Sequence, residues 1–390
     1  MSNSSKKQLW WNNAQYRSLF FQIVLVAMVA GFFWFIGTNT LHNLEKRGIS
    51  TGFAFLSQKA GFGILQSLIP FTDADSFGRT FVVGLLNTLL VSALGVVFAT
   101  IIGFTMGIAR LSNNWLIAKI ATVYIETFRN IPLLLQIFFW YFAVLRALPS
   151  PRHSWSAGDL AFINIRGLYL PQPLFGDGFG FVAWTFFLAI VATIFVARWA
   201  RKRQDETGQQ FKLWRTAFVL IIGLPVIVFF AVGSPLSWDV PVLKGFNFRG
   251  GMTVIPELTA LLMALSIYTA TFIAEAVRSG ILAVNSGQTE AASALGLHNS
   301  KVLKLVVIPQ AMRVIIPQLT SQYLNLVKNS SLATAIGYPD LVAVFAGTTL
   351  NQTGQAIEII AMTMGVYLTI SLTISMLMNW YNKKIMLVER

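Results

Sequence analysis

The chain has 390 residues, 55% of them hydrophobic and only 11% charged, with a mean hydropathy of +0.65. Soluble domains carry about a quarter charged residues, so this composition excludes a disordered, fibrous or disulfide-rich secreted protein and points to a polytopic membrane protein. The net charge of +14 does not mark nucleic-acid binding, because the basic residues flank apolar runs and form no single patch; with no cysteine, thiol catalysis, disulfides and cysteine metal sites are excluded.

In chain order, apolar runs long enough to span a bilayer lie near 19–38, 81–109, 120–148, 181–199, 216–233, 254–280, 312–330 and 356–381. They predict an all-α polytopic membrane protein with about eight transmembrane helices. The first run is too long for a signal h-region and lacks a small-residue cleavage site, so it reads as an uncleaved helix. Segments 39–80 and 149–180 are Gly/Pro-rich and read as small ordered caps on the outer face. Residues 149–253 read as an insertion with two extra spans joined by the basic stretch Arg198 to Arg215. Residues 332–347 are apolar but interrupted by Gly337, Tyr338 and Pro339, which leaves a re-entrant segment or the end of the seventh span. The expected organisation is a first helix and outer loop (1–80), a first core part (81–148), the insertion (149–253) and a second core part (254–390).

Orientation follows from the Lys/Arg bias. With the N-terminus inside, the inner segments hold Lys6, Lys7, Arg17, Arg110, Lys119, the cluster from Arg198 to Arg215, Arg278, Lys301, Lys304, Lys383, Lys384 and Arg390. Eight spans then put both termini in the cytoplasm. Trp10, Trp11, Trp115, Trp184, Trp199, Trp214, Trp238 and Trp380 fall near predicted helix ends, as an interfacial belt places them.

An enzyme reading finds no support. There is no Gly-Lys dipeptide, hence no phosphate-cradling GxxxxGK[ST] loop, and no GxSxG turn. His42, His153 and His298 are isolated in predicted loops and suggest no metal site. No catalytic residue, metal or cofactor is expected on this chain.

The most informative inner segment is 285–309. Glu290, Ala291 and Ala292 precede Gly296, and Val306, Ile308 and Pro309 follow at fixed spacing. Small alanines allow a partner to approach, Gly296 permits a chain reversal, and Pro309 is expected to break the helix and start a new direction. Two short helices about a glycine make a knob suited to docking in a groove of another protein. The pattern E-A-A-x3-G-x9-V-x-I-P resembles the EAA loop of bacterial ABC importer permeases. The run from Glu126 through Arg129, Asn130 and Pro132 to Gln136 resembles the E-x-x-R-G-x-P-L-L-x-Q segment of the polar amino acid (histidine) permease family, with Asn130 in place of Gly. The runs about Glu275 and Arg278, and about Lys328, Asn329, Ser330 and Ser331, are similar to that family's too. The extra first span and the insertion are similar to the larger membrane subunit of general L-amino acid permeases.

This resemblance implies a type I ABC importer permease core with a cytoplasmic coupling loop, moving L-amino acids by alternating access. The implied partners are a dimer of ATP-binding subunits carrying ATP and magnesium, a second, non-identical permease, a periplasmic amino-acid-binding protein, the amino acid and membrane lipid. The implied location is the bacterial inner membrane. An ion-gradient-driven secondary transporter is the alternative; it needs no docking knob and predicts inverted repeats, of which the sequence has none.

Glu126 with Arg129, and Glu275 with Arg278, are three residues apart on helices and can neutralise each other. Intramembrane charges cost about 2–4 kcal/mol each and so pair inside a bundle. The pairs read as staples between helices or as an inner gate. Lys328 has no acidic neighbour at helical spacing and lies some 20 Å from Arg313 along a helix rising ~1.5 Å per residue. Its expected counter-ion is a substrate carboxylate, Glu126 or Glu275. Asn329, Ser330 and Ser331 sit where the helix is expected to break and its freed backbone groups face a zwitterion. Gly103 and Gly107 form a small-residue face for close helix packing.

Overall fold

The computed structural model describes residues 14–46 and 51–385. Lys6, Lys7, Trp10, Trp11 and Arg390, read above as markers of the inner face, lie outside the described residues. Seven described helices are long and apolar enough to cross a bilayer, and a bent pair makes an eighth if it counts as one span. The chain divides into two compact units, one of residues up to Val97 with Glu275–Arg390, the other Phe98–Ala274.

Four long helices follow the apolar runs: α1 (Ala14–Lys46), α2 (Phe77–Arg110), α8 (Pro256–Leu282) and α12 (Ala356–Ile385), numbered in chain order with those introduced below. The run at 120–148 is not one straight span. It divides into α3 (Trp115–Asn130) and a second helical stretch opening with α4 (Leu133–Phe138), bent by 105°. Pro132 forces this corner. It has no N–H to donate, and its ring pushes Ile131 into extended backbone (φ −95°, ψ 128°). At the other end of α3 the Asn114 carboxamide accepts from Leu116 N and Ile117 N.

In the second unit, α5 (Phe179–Thr207) is followed by α6 (Leu213–Phe218) and α7 (Leu224–Ala231), joined by a π-turn. Phe179–Thr207 and Leu213–Ala231 are each long and apolar enough to cross a bilayer, at the two runs expected within 149–253. The segments flanking them form a small β structure that the apolar periodicity did not reveal. Strands β1 (Trp155–Ala157), β2 (Ala161–Asn164) and β3 (Gly167–Leu170) pair antiparallel in order, and β8 (Met252–Val254) closes on β3, with Leu168 opposite Val254. Two further antiparallel pairs, β4 (Gln172–Phe175) with β5 (Leu236–Asp239) and the hairpin β6 (Val242–Lys244) with β7 (Asn247–Arg249), complete it. Phe248 is buried between the rings of Phe162 and Tyr169. Burial holds the Tyr169 phenol above its ordinary pKa, so it stays the donor to Asn247 Oδ1 at 2.9 Å. In the same unit, α2 and α8 touch at Gly103, where a β-carbon would stand 2.5 Å from Ile273 and 3.1 Å from the Ala270 carbonyl.

In the first unit, the interrupted segment 332–347 folds inward. A 3-10 stretch, Ser330–Ile336, ends at Gly337 in the left-handed region, and Val342–Thr349 then forms a π-helix. Between them Tyr338, Asp340 and Leu341 are fully buried. Asn87 of α2 donates to the carbonyls of Gln66 and Pro339, Tyr338 Oη donates back to the Asn87 carbonyl, and Leu341 N donates to Thr88 Oγ1. Phe55, Phe77, Leu341, Phe345 and Ile359 form the apolar core around this fold-back.

Candidate translocation path and coupling loop

The segment after α8 builds a knob. Helix α9 (Ser286–Ala294) is capped by Asn285, whose Oδ1 accepts from Gly287 N at 2.8 Å. Gly296 reverses the chain at φ +74°, with nothing within 4 Å of where a β-carbon would be. Helix α10 (Asn299–Val302) begins at His298 and passes through a π-turn, Leu303–Val307, into α11 (Ile308–Asn329). Ala292, Val302 and Val307 are buried in a small core with Ile281, Val284, Leu297 and Val306 against it. Glu290, Ala291 and Gly296 are exposed, and so is Leu295, at 82%. The sequence reading missed Leu295, although an apolar residue beside the reversal glycine was the signal for it.

Pro309 does not break the helix as expected. Residues Asn299–Ile336 run on as one span, with Pro309 in the first turn of α11. The π-turn before it widens the backbone where the proline ring would meet the carbonyl four residues back, and an N–H is not required there.

The run from Glu126 to Gln136 holds the corner at Pro132. Gln136 is 3% exposed, and its Nε2 donates to the carbonyls of Phe128 (2.8 Å) and Ile131 (3.0 Å), which the bend frees from helical bonding. Asn130 Nδ2 donates to the Glu126 carbonyl at 2.7 Å. Glu126 bridges two guanidiniums, Arg129 at 3.4 Å as expected and Arg110 at 3.1 Å, which was not expected. Arg110 closes α2, sixteen residues away, and helical spacing cannot reveal it. In the other unit, Arg278 grips Glu275 through Nη2 at 2.6 Å and Nε at 3.0 Å. One turn on, a β-carbon at Gly280 would stand 3.1 Å from the Ala311 carbonyl, so α8 and α11 pack without a spacer.

Lys328 lies at the end of α11, where helical geometry gives way to the 3-10 stretch at Ser330. It lines a cavity of about 370 Å³ with Ser331, Val342, Thr363, Met364 and Tyr367. Lys328 is exposed and has no ion-pair partner among the described residues. The serine hydroxyls are spent locally: Ser330 donates to the Val327 carbonyl and is fully buried, and Ser331 donates to the Lys328 carbonyl. Tyr367 Oη reaches Asp340 Oδ2 at 3.4 Å, and Asp340 Oδ1 accepts from Ala343 N at 2.8 Å. Tyr367, Thr363 and Asp340 escaped the sequence reading because they come from segments remote in the chain. Among the described residues no group of His, Asp and Glu is arranged to hold a metal ion.

A profile described as binding-protein-dependent transport system inner membrane component matches residues 210–386. The putative amino-acid ABC transporter permease protein YhdX of Escherichia coli strain K12 is 60% identical over 385 residues, 99% of this chain and 98% of that protein. The general L-amino acid transport system permease protein AapQ of Rhizobium johnstonii is 56% identical, covering 96% of this chain and 94% of its own. BztB of Rhodobacter capsulatus, a glutamate/glutamine/aspartate/asparagine transport system permease protein, is 43% identical over 97% and 96%. A helical membrane chain with a knob before its penultimate long span is thus the permease subunit of an ABC importer. More particularly, this chain belongs to the amino-acid ABC transporter permeases. Transport is therefore ATP-driven, not driven by an ion gradient, and ATP hydrolysis falls to a separate subunit. The chain is a multi-pass inner membrane protein.

Proposed function

We propose that this chain is one of two non-identical permease subunits framing a path for L-amino acids, with its knob seated on a dimer of ATP-binding subunits. In this reading ATP and magnesium are held by that dimer and the chain itself carries no cofactor. A soluble amino-acid-binding protein delivers substrate at the opposite face. Both termini are cytoplasmic, with the bent pair at Pro132 counted as one span. The concentration of Lys and Arg from Arg198 to Arg215 and at Lys301, Lys304, Lys383 and Lys384 supports that orientation.

The observation that carries the reading is the knob: Glu290, Ala291, Leu295 and Gly296 are exposed while Ala292, Val302 and Val307 give them a buried footing. The names of AapQ and BztB support amino acids as the cargo. Within the path, Lys328 receives the substrate carboxylate; the Thr363 and Tyr367 hydroxyls are already donated to the Ile359 carbonyl and to Asp340, and no carboxylate is among the residues lining that cavity. The site therefore favours neutral and acidic amino acids over cationic ones.

Mass spectrometry of the gently solubilised native complex tests the assembly. The expected composition is two ATPase copies, one copy of this chain and one of a different permease. An ATPase with this chain as the only permease would overturn the hetero-pairing. In proteoliposomes, Lys328→Met is expected to raise KM for uptake at least tenfold with assembly intact, and Lys328→Arg to recover most of it. Unchanged KM would remove Lys328 from the path.

A further inference from the structure

The end of α5, the turn after it and the start of α6 carry six cations, Arg198, Arg201, Lys202, Arg203, Lys212 and Arg215, against Asp205 and Glu206. Interleaved with them are Trp199, Phe211 and Trp214. The aromatic groups are fixed. Trp199 meets Phe211 edge-to-face at 5.6 Å, Arg203 lies 5.4 Å over the Trp199 ring, and Arg215 lies 5.3 Å over Trp214. Arg203 also donates across the turn to Gln209 Oε1 at 3.2 Å, and Gly208 in the left-handed region closes α5. Lys202 is engaged with Glu206 at 3.8 Å. Arg198, Arg201 and Lys212 remain, all exposed, with no hydrogen bond or ion pair among the described residues.

The helices on either side decide what meets those charges. In the most apolar stretch of α5 only 11% of residues are buried, and in that of Leu213–Ala231 only 6%. Apolar helices so little covered by their own chain are open to lipid. Trp199 and Trp214, 50% and 68% exposed, mark where hydrocarbon gives way to headgroups. Three unpaired cations within a helical turn or so of those rings stand at phosphate depth.

The geometry points to a binding site for an anionic phospholipid headgroup where the end of α5 meets the turn into α6, with Arg198, Arg201 and Lys212 as its phosphate ligands. The inference rests on the orientation proposed above, which places this turn at the cytoplasmic leaflet. A juxtamembrane cation strengthens binding to an anionic surface about fivefold, so the three together account for about a hundredfold.

The test uses the complete transporter in phosphatidylcholine nanodiscs with or without phosphatidylglycerol, read by native mass spectrometry for retained lipid. The wild-type complex is expected to keep phosphatidylglycerol. The Arg198→Gln, Arg201→Gln, Lys212→Gln variant is expected to hold it about a hundredfold more weakly, and Arg198→Lys with Arg201→Lys to hold it nearly as well. Raised salt should release the lipid from the unmutated protein, which keeps the test valid if the triple variant fails to insert. Retention unaffected by salt and by the triple variant would overturn the site. Displacement by free inorganic phosphate would show an anion site that does not read lipid. Capture of the ATPase, not lipid, by a photo-crosslinker at Gln210 would make the turn a protein contact and overturn the proposal as well. The chain has no cysteine, so Gln210→Cys reports orientation separately: labelling from the outer side would sink the proposed topology, whatever the lipid result.

Discussion

The corner at Pro132 and the knob about Gly296 both stand out in the sequence as fixed-spacing motifs, yet the chain treats them in opposite ways. At the corner, the polar residues are turned on the chain itself. Gln136 and Asn130 bond backbone carbonyls, and Glu126 is held by two arginines. At the knob, the small and apolar residues Ala291 and Leu295 are presented outward on a compact footing and satisfy nothing internal. A motif residue whose bonding groups are consumed locally is architecture. One left exposed without a local use awaits another molecule.

The sharpest way to break this contrast is Leu295→Asp. A side chain 82% exposed contributes little to the fold, so abundance and thermal stability in detergent should match the parent within about 0.5 kcal/mol. Buried apolar anchors at interfaces are worth about 2–4 kcal/mol. ATPase binding and uptake should therefore fall about thirtyfold or more. Normal uptake would return the knob to an ordinary loop. Gln136→Leu should do the reverse. It strands the Phe128 and Ile131 carbonyls in a buried corner, each at about 1–3 kcal/mol. Melting temperature should drop by several degrees, while whatever complex survives still binds the ATPase.

The long spans were legible because each is a plain apolar run. The knob was legible because its motif is local and rigidly spaced. The corner was misread for a nameable reason. Leu133 to Leu148 is apolar enough to continue a span, and hydropathy does not register that Ile131-Pro132 turns the backbone by 105°. Pro309 was misread in the opposite sense, because the π-turn that accommodates it has no composition of its own. The β structure escaped because its strands, of three or four residues, are too short to display alternation. Arg110 and Tyr367 escaped because their partners, Glu126 in α3 and Asp340 in the fold-back, lie in other segments, and one sequence does not report such pairings.

The smallest effect asks whether the two charge clusters are staples or gates. The Glu126 side chain is 43% exposed, so its bridges to Arg110 and Arg129 are screened and each contributes about 0.2–1 kcal/mol. Glu126→Gln should therefore shift melting by only a degree or two. Its effect on transport separates the readings. A staple loses a little stability and leaves the coupling of ATP hydrolysis to uptake unchanged. A gate held by Glu126 between two arginines opens more readily when the carboxylate is neutralised, because two like charges then face each other unbridged. ATP hydrolysis without substrate should then rise about two- to fivefold, and the Glu126→Gln, Arg110→Gln double variant should return it toward the parent, since removing one arginine relieves that repulsion. A basal rate unmoved in either variant would assign the cluster to structure, alongside Gln136.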